Sequence, residues 1–231
     1  MSEVAEMKER LAQCCRMLLW VGLFDHSGHV SARIPGTDRV LIHPRHVSRH
    51  DVEARHILTV DLTGRLIEGD LEPPSETSIH TCIYRAREDV LSVAHLHSHY
   101  ATLLSMTGRT ILPVCNQGAL FAGGVPVYPI SSTVRDDEEG KALAQTLGGA
   151  RAVLLKGHGS VVVAESIEGV FVAGHSLEST ARFQYELMLL GEPKPLSESE
   201  IGRSVGLMWN ARGINKVWSH CESLARKAGV L

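Results

Sequence analysis

His95 and His97 close a short apolar run, Val90-Leu91-Ser92-Val93-Ala94, and are separated by a single residue. Side chains alternate between faces along a β-strand, so the two imidazoles project to the same side. Neutral imidazole is the commonest metal ligand, and a strand end is a rigid place to hold a pair. The pair equally fits ordinary polar positions at a strand end. Lys156-Gly157-His158-Gly159 follows a second apolar run, Ala152-Val153-Leu154-Leu155, and can supply a third imidazole. Glu76, behind Pro73-Pro74-Ser75, offers a carboxylate. Three histidines with an open position describe a catalytic divalent-metal site rather than a closed structural one. Zn²⁺, Mn²⁺, Fe²⁺ and Co²⁺ all suit such a donor set.

The elements that must position these residues read as follows. Apolar residues at helical spacing (Val4, Met7, Leu11, Cys14, Leu18) predict an amphipathic helix over about residues 3–20, ended near Gly22. Two hairpins come next: residues 24–34 return over 39–43 through Pro35-Gly36, and residues 57–61 return over 66–68 through Gly64. Pro73-Pro74 then breaks the chain. Ser75 is placed to cap a helix from Thr77 to Arg87, with Glu76 in its first turn near the positive helix end. On these grounds Glu76 is either a capping carboxylate or a catalytic one.

After the histidine strand, residues 98–106 predict a short helix, 111–114 and 125–130 short strands, 118–124 a loop, and 136–147 a helix. Residues 152–164 form a strand, a turn at Gly157-His158-Gly159 and another strand. The paired glycines allow close backbone approach and unusual dihedrals, which a tight turn also explains. Residues 166–190 make the longest helix and 198–227 a last one. His99 falls after the strand and is left out of the metal set; nothing assigns a role to His175. The layout is α/β, an α/β/α arrangement around a mixed or largely antiparallel sheet.

The chain has 231 residues, 44% hydrophobic and 21% charged, which fits one large domain or two small ones. A net charge of -3 without a basic patch gives no support for nucleic-acid binding. The first ten residues lack a signal-peptide apolar core, and no apolar run approaches membrane-spanning length, so no membrane partner is expected. Five scattered cysteines without C-x-x-C spacing read as reduced thiols of a cytoplasmic protein.

Taken in order, Gly28-x-x-Ser31-x-Arg33, Pro74-Ser75-Glu76, His95-x-His97, Gly157-His158-Gly159 and the long helix with Tyr185 resemble the class II aldolase/adducin family over nearly the whole chain. The resemblance implies a single domain over residues 1–231, with three α/β/α layers around a nine-stranded, mainly antiparallel sheet. It also implies a homotetramer with active sites at subunit boundaries, a divalent metal on His95, His97 and His158, and Glu76 as acid/base group.

Sugar-phosphate aldolases of the family hold phosphate with an Asn, a Thr-Gly pair and a double serine. Here those positions carry His29, His43-Pro44 and Pro74-Ser75, and a phosphate needs several N–H and O–H donors. The stretch instead gains His29, His43, Arg45 and His46, donors suited to carboxylate or phenolate, with Arg45 the best bidentate clamp. The stretches around residues 24–33 and 41–44 are most similar to the aromatic-acid decarboxylase branch. That similarity implies non-oxidative decarboxylation of a hydroxylated aromatic dicarboxylate, a dihydroxyphthalate-like small molecule of aromatic catabolism. Glu76 would manage a proton, which calls for a raised pKa or a transient proton. His29, Arg45, Ser75 and Tyr185 would contact the substrate. The alternatives are an aldolase acting on a sugar or hydroxy acid, a non-haem iron oxygenase, and a non-catalytic adducin-like scaffold.

Overall fold

In the computed structural model of the chain, which describes residues 2–231, eight strands form one sheet in the order β4-β3-β2-β1-β5-β8-β7-β6. They are β1 (His29–Arg33), β2 (Arg39–Ile42), β3 (Leu58–Asp61), β4 (Leu66–Glu68), β5 (Ser92–Leu96), β6 (Val127–Tyr128), β7 (Ala152–Leu155) and β8 (Gly159–Ala164). Every pairing is antiparallel except β6 with β7. The two expected hairpins are present, and the histidine strand β5 lies between β1 and β8.

Alternation along the strands sorts the core into two layers. Val30, Ala32, Ala94, Leu96, Val162 and Ala164 face one core, shared with α1 (Glu3–Trp20), α3 (His99–Ser105), α5 (Ile167–Leu190) and α7 (Ala211–Lys227). Val93, Val161 and Val163 face the other, covered by α2 (Thr77–Ala86) and α4 (Asp137–Leu147). The fold is therefore a three-layer α/β arrangement. His95 shares the face of Val93, and His29, Ser31 and Arg33 share the same side of β1, so the polar residues of interest gather under α2.

Four expectations need correction. The sheet has eight strands among the described residues, not nine. Residues 111–114 form no strand: the Leu112 amide donates to Gln184 Oε1 at 2.7 Å and the Pro113 carbonyl accepts from Leu196, so partners outside a ladder take up these backbone groups. Residues 116–121 wind into a 3₁₀ turn where a loop was expected. The last helix is two helices, α6 (Glu198–Met208) and α7, because extended Asn210 caps α7 by accepting from the Gly213 amide while its Nδ2 donates to the Gly206 and Leu207 carbonyls.

Candidate metal-dependent active site

The donor atoms of His95, His97 and His158 lie within 4.8 Å of one another. The backbone explains how the third reaches the first two. Gly157 adopts φ +64°, a conformation that favours glycine. A Cβ on Gly159 would stand 2.2 Å from the Leu96 carbonyl oxygen, so only glycine lets β8 close on β5 beside His95. The glycines thus deliver the imidazole between them to the end of β5.

The protonation pattern follows from the partners. His95 Nδ1 lies 3.2 Å from the Ser160 carbonyl, and His97 Nδ1 lies 3.1 Å from Asp25 Oδ2. Both partners only accept, so both Nδ1 atoms carry the proton. Burial is the main cause holding His95 well below the usual imidazole pKa, with neighbouring imidazoles adding to it and Glu76 opposing. His95 is therefore neutral and its Nε2 bare. A neutral His97, with its proton on Nδ1, likewise leaves Nε2 bare. These two nitrogens are 3.3 Å apart. Two lone pairs facing at that distance repel unless a proton or a metal ion lies between them. Ligands at Zn–N distances around a tetrahedral ion sit about 3.4 Å from one another. His158 Nδ1 is buried with no partner among the described residues, a cost that a bound group or water would remove. The donor set fits a divalent ion, with Asp25 and Ser160 orienting its ligands.

Glu76 sits at the N-cap position of α2 and does not cap it; exposed Ser75 makes no capping bond either. Instead Glu76 Oε1 accepts from the Val134 amide at 3.0 Å, and Oε2 lies 3.6 Å from His29 Nε2 and 3.7 Å from His95 Nε2. Burial alone would raise its pKa; the His29 contact, the neighbouring imidazoles and the Val134 amide outweigh burial and hold it at about 2. A raised pKa is therefore not how this group handles a proton: it rests ionised and can carry a proton only transiently. The capping alternative is excluded by the same geometry.

The other expected contacts divide. His29 is buried against the Glu76 carboxylate and the His95 ring. His43 is fully buried, with Nδ1 3.7 Å from Cys15 Sγ and Nε2 without a hydrogen-bond partner among the described residues, and His46 pairs with Glu72 on the surface at 3.4 Å. Arg45 is exposed and makes no ion pair among the described residues. Tyr185 is partly exposed on α5, with its ring 5.5 Å from that of Tyr100. Neither lines the open cleft of about 400 Å³ beside His97 and His158, whose walls include Asp25, His99, Thr102 and Met106. His99 thus stands at the mouth without joining the metal set, and His175 lies away from it against Phe171.

Asp25, Ser160, His80 and Arg49 escape a reading of the sequence. Arg49 is buried and donates to the Gly28, Arg45 and Val47 carbonyls, tying the loop before β1 to the loop after β2. For His80 a signal existed: it follows Glu76 by one helical turn and so shares its face.

Residues 9–185 match the Class II Aldolase and Adducin N-terminal domain. The chain is 32% identical over 212 residues to a 3,4-dihydroxyphthalate decarboxylase of Arthrobacter keyseri, covering 85% of each chain. It is 31% identical over 162 residues to a 5-deoxy-D-ribulose 1-phosphate aldolase of Bacillus thuringiensis serovar kurstaki, covering 70% of this chain and 76% of that one. An aldolase II superfamily protein from Pseudomonas syringae has the same fold, with a TM-score of 0.87 at 23% identity over 100% of this chain and 96% of that one.

Proposed function

Because the chain belongs to the class II aldolase and adducin family, we propose that it is a divalent-metal-dependent carboxy-lyase acting on a hydroxylated aromatic dicarboxylate, as a single domain in a cytoplasmic homotetramer. The observation that carries the reading is the lining around Glu76. A phosphate needs several free donors, yet His29 Nε2 faces Glu76, His43 is fully buried, and Pro44 has no N–H. The similarity to a 3,4-dihydroxyphthalate decarboxylase across 85% of both chains supports the same choice.

His95, His97 and His158 would hold the ion, which supplies Lewis acidity toward a phenolic oxygen and the carboxylate beside it. The ionised Glu76 takes the phenolic proton. Glu76 gives that proton to the ring carbon bearing the carboxylate, which becomes the tetrahedral carbon of a dienone. The bond from that carbon to the carboxylate then breaks, CO₂ leaves, and the electron pair returns to the ring, restoring its aromaticity and the phenolate, which takes a proton from water. A carboxylate that holds a proton only transiently surrenders it readily, which suits the delivery to carbon. His29 lies against Glu76 and exposed Ser75 precedes it in the chain; neither lines the cleft beside His97 and His158, and with Arg45 and Tyr185, also outside the cleft of one chain, they are proposed as substrate contacts at a subunit boundary. Product analysis decides between this and the aldolase reading, which the relative from Bacillus keeps in view. CO₂ and a dihydroxybenzoate from 3,4-dihydroxyphthalate with metal-loaded protein, and no aldehyde from 5-deoxy-D-ribulose 1-phosphate, are expected. Cleavage of the sugar phosphate alone would replace the decarboxylase by an aldolase.

A further inference from the structure

Behind Glu76 runs a row of polar side chains that neither metal binding nor proton transfer uses. Helix α2 contributes Glu76, His80 and Tyr84 at spacings of four, and β1 contributes His29, Ser31 and Arg33 at spacings of two. One helical turn and one strand repeat place each set on a single face, and the two faces interdigitate. His29 Nδ1 is 2.6 Å from His80 Nε2, His80 Nδ1 is 2.6 Å from Ser31 Oγ, and Ser31 Oγ is 2.8 Å from Tyr84 Oη. Arg33 closes the row, its guanidinium over the Tyr84 ring and donating to the Tyr84 carbonyl. His29, Ser31, His80 and Tyr84 are all buried, so water does not complete their bonding.

The donor count gives this row one direction. His29 Nε2 makes no hydrogen bond among the described residues; it lies 3.6 Å from Glu76 Oε2, an oxygen that accepts, with the His95 ring 4.9 Å from its own. A neutral His29 with its proton on Nε2 has a bare Nδ1, so His80 Nε2 must donate to it. His80 then has a bare Nδ1, which takes the single Ser31 hydroxyl proton. Ser31 Oγ is left to accept from Tyr84 Oη–H. Every link points toward Glu76.

We infer that His80, Ser31 and Tyr84 form a one-way hydrogen-bond ladder whose work is to fix His29 as a donor toward Glu76, making His80 and Ser31 positioning residues for the acid/base carboxylate. This deepens the reading of Glu76 as the proton-handling group and rests on it. With the ladder in place, His29 cannot turn its lone pair on the carboxylate or on an anionic substrate. Without it, both tautomers become available and half of them repel.

Neutron diffraction from deuterated crystals of the zinc-loaded protein at neutral pH tests the ladder without any substrate. Deuterium is expected on Nε2 of His29 and of His80, with both Nδ1 atoms bare. Deuterium on Nδ1 of either residue would overturn the inference, even if the protein proved a decarboxylase; the expected pattern in a protein that released no CO₂ would sink only the function. The positioning role is read with whichever substrate turns over. Ser31→Ala, which removes the donor to His80 at little cost in volume, should lower kcat about tenfold with KM within about twofold. His80→Gln, which keeps a donor toward His29 and an acceptor toward Ser31, should retain most of the rate that His80→Leu loses. Equal rates for the Gln and Leu variants, or an unchanged kcat in Ser31→Ala, would reduce the row to packing.

Discussion

Replacing Asp25 with alanine removes the carboxylate that holds His97 in the Nδ1–H form. The two residues are distant in sequence and meet at 3.1 Å between Asp25 Oδ2 and His97 Nδ1. Partners of this kind typically contribute tenfold to a hundredfold in metal affinity. Asp25 has a half-exposed side chain (49%), so solvent screens the pair and the lower end applies. The expected loss is about tenfold, or roughly 1.4 kcal/mol. Competition of wild type and Asp25→Ala against a fluorescent chelator for Zn²⁺ measures it, with circular dichroism confirming an intact fold. His175→Ala serves as the control and should bind zinc as the wild type does, since His175 packs on Phe171 outside the histidine set. Unchanged affinity in Asp25→Ala would mean that His97 does not present Nε2 to an ion, and the argument from two bare nitrogens would fail with it.

His97→Ala should abolish both zinc binding and turnover, whereas Glu76→Gln should keep the metal and lose the rate by at least about a hundredfold; metal analysis beside product assays separates the two, and a Glu76→Gln enzyme at full rate would remove Glu76 from the chemistry. Gly159→Ala forces a Cβ to within 2.2 Å of the Leu96 carbonyl oxygen, so β5 and β8 must part; a cost of about 1–3 kcal/mol should appear in thermal unfolding as a fall in Tm of roughly 2–12 °C, and an unchanged Tm would contradict the strand contact. Leu189 and Leu190 end α5 at 72% and 86% exposure, an apolar tip with no cover in one chain. If the proposed tetramer uses this tip, Leu189→Asp with Leu190→Asp should lower the mass seen by light scattering relative to the wild type while the fold persists, and a mass unaltered by both substitutions would take this tip out of any subunit contact.

Several features of this protein are legible in the chain because they depend on short-range periodicity. The period of two along β5 sets His95 and His97 on one face whatever surrounds them. Pro73-Pro74 marks the start of α2, and the glycines on either side of His158 mark a point of close approach. The α/β layering follows from the same alternation, and the composition allowed it before any contact was known. What the chain alone did not reveal depends on partners distant in sequence. Whether Glu76 caps its helix or serves the site is decided by Val134 and His29, which lie against its two oxygens. Asp25 and Ser160, which decide the tautomers of His97 and His95, come from a loop and a strand that only the sheet order brings near. Residues 111–114 read as a strand locally, yet Gln184 and Leu196 captured their backbone bonds. His80 stands between these cases: its spacing from Glu76 was visible, but its meaning appears only when β1 lies beneath α2 and the two periodicities interlock. Local sequence sets which side chains share a face; the pairing of faces, and with it every proton position in the site, is decided by tertiary packing.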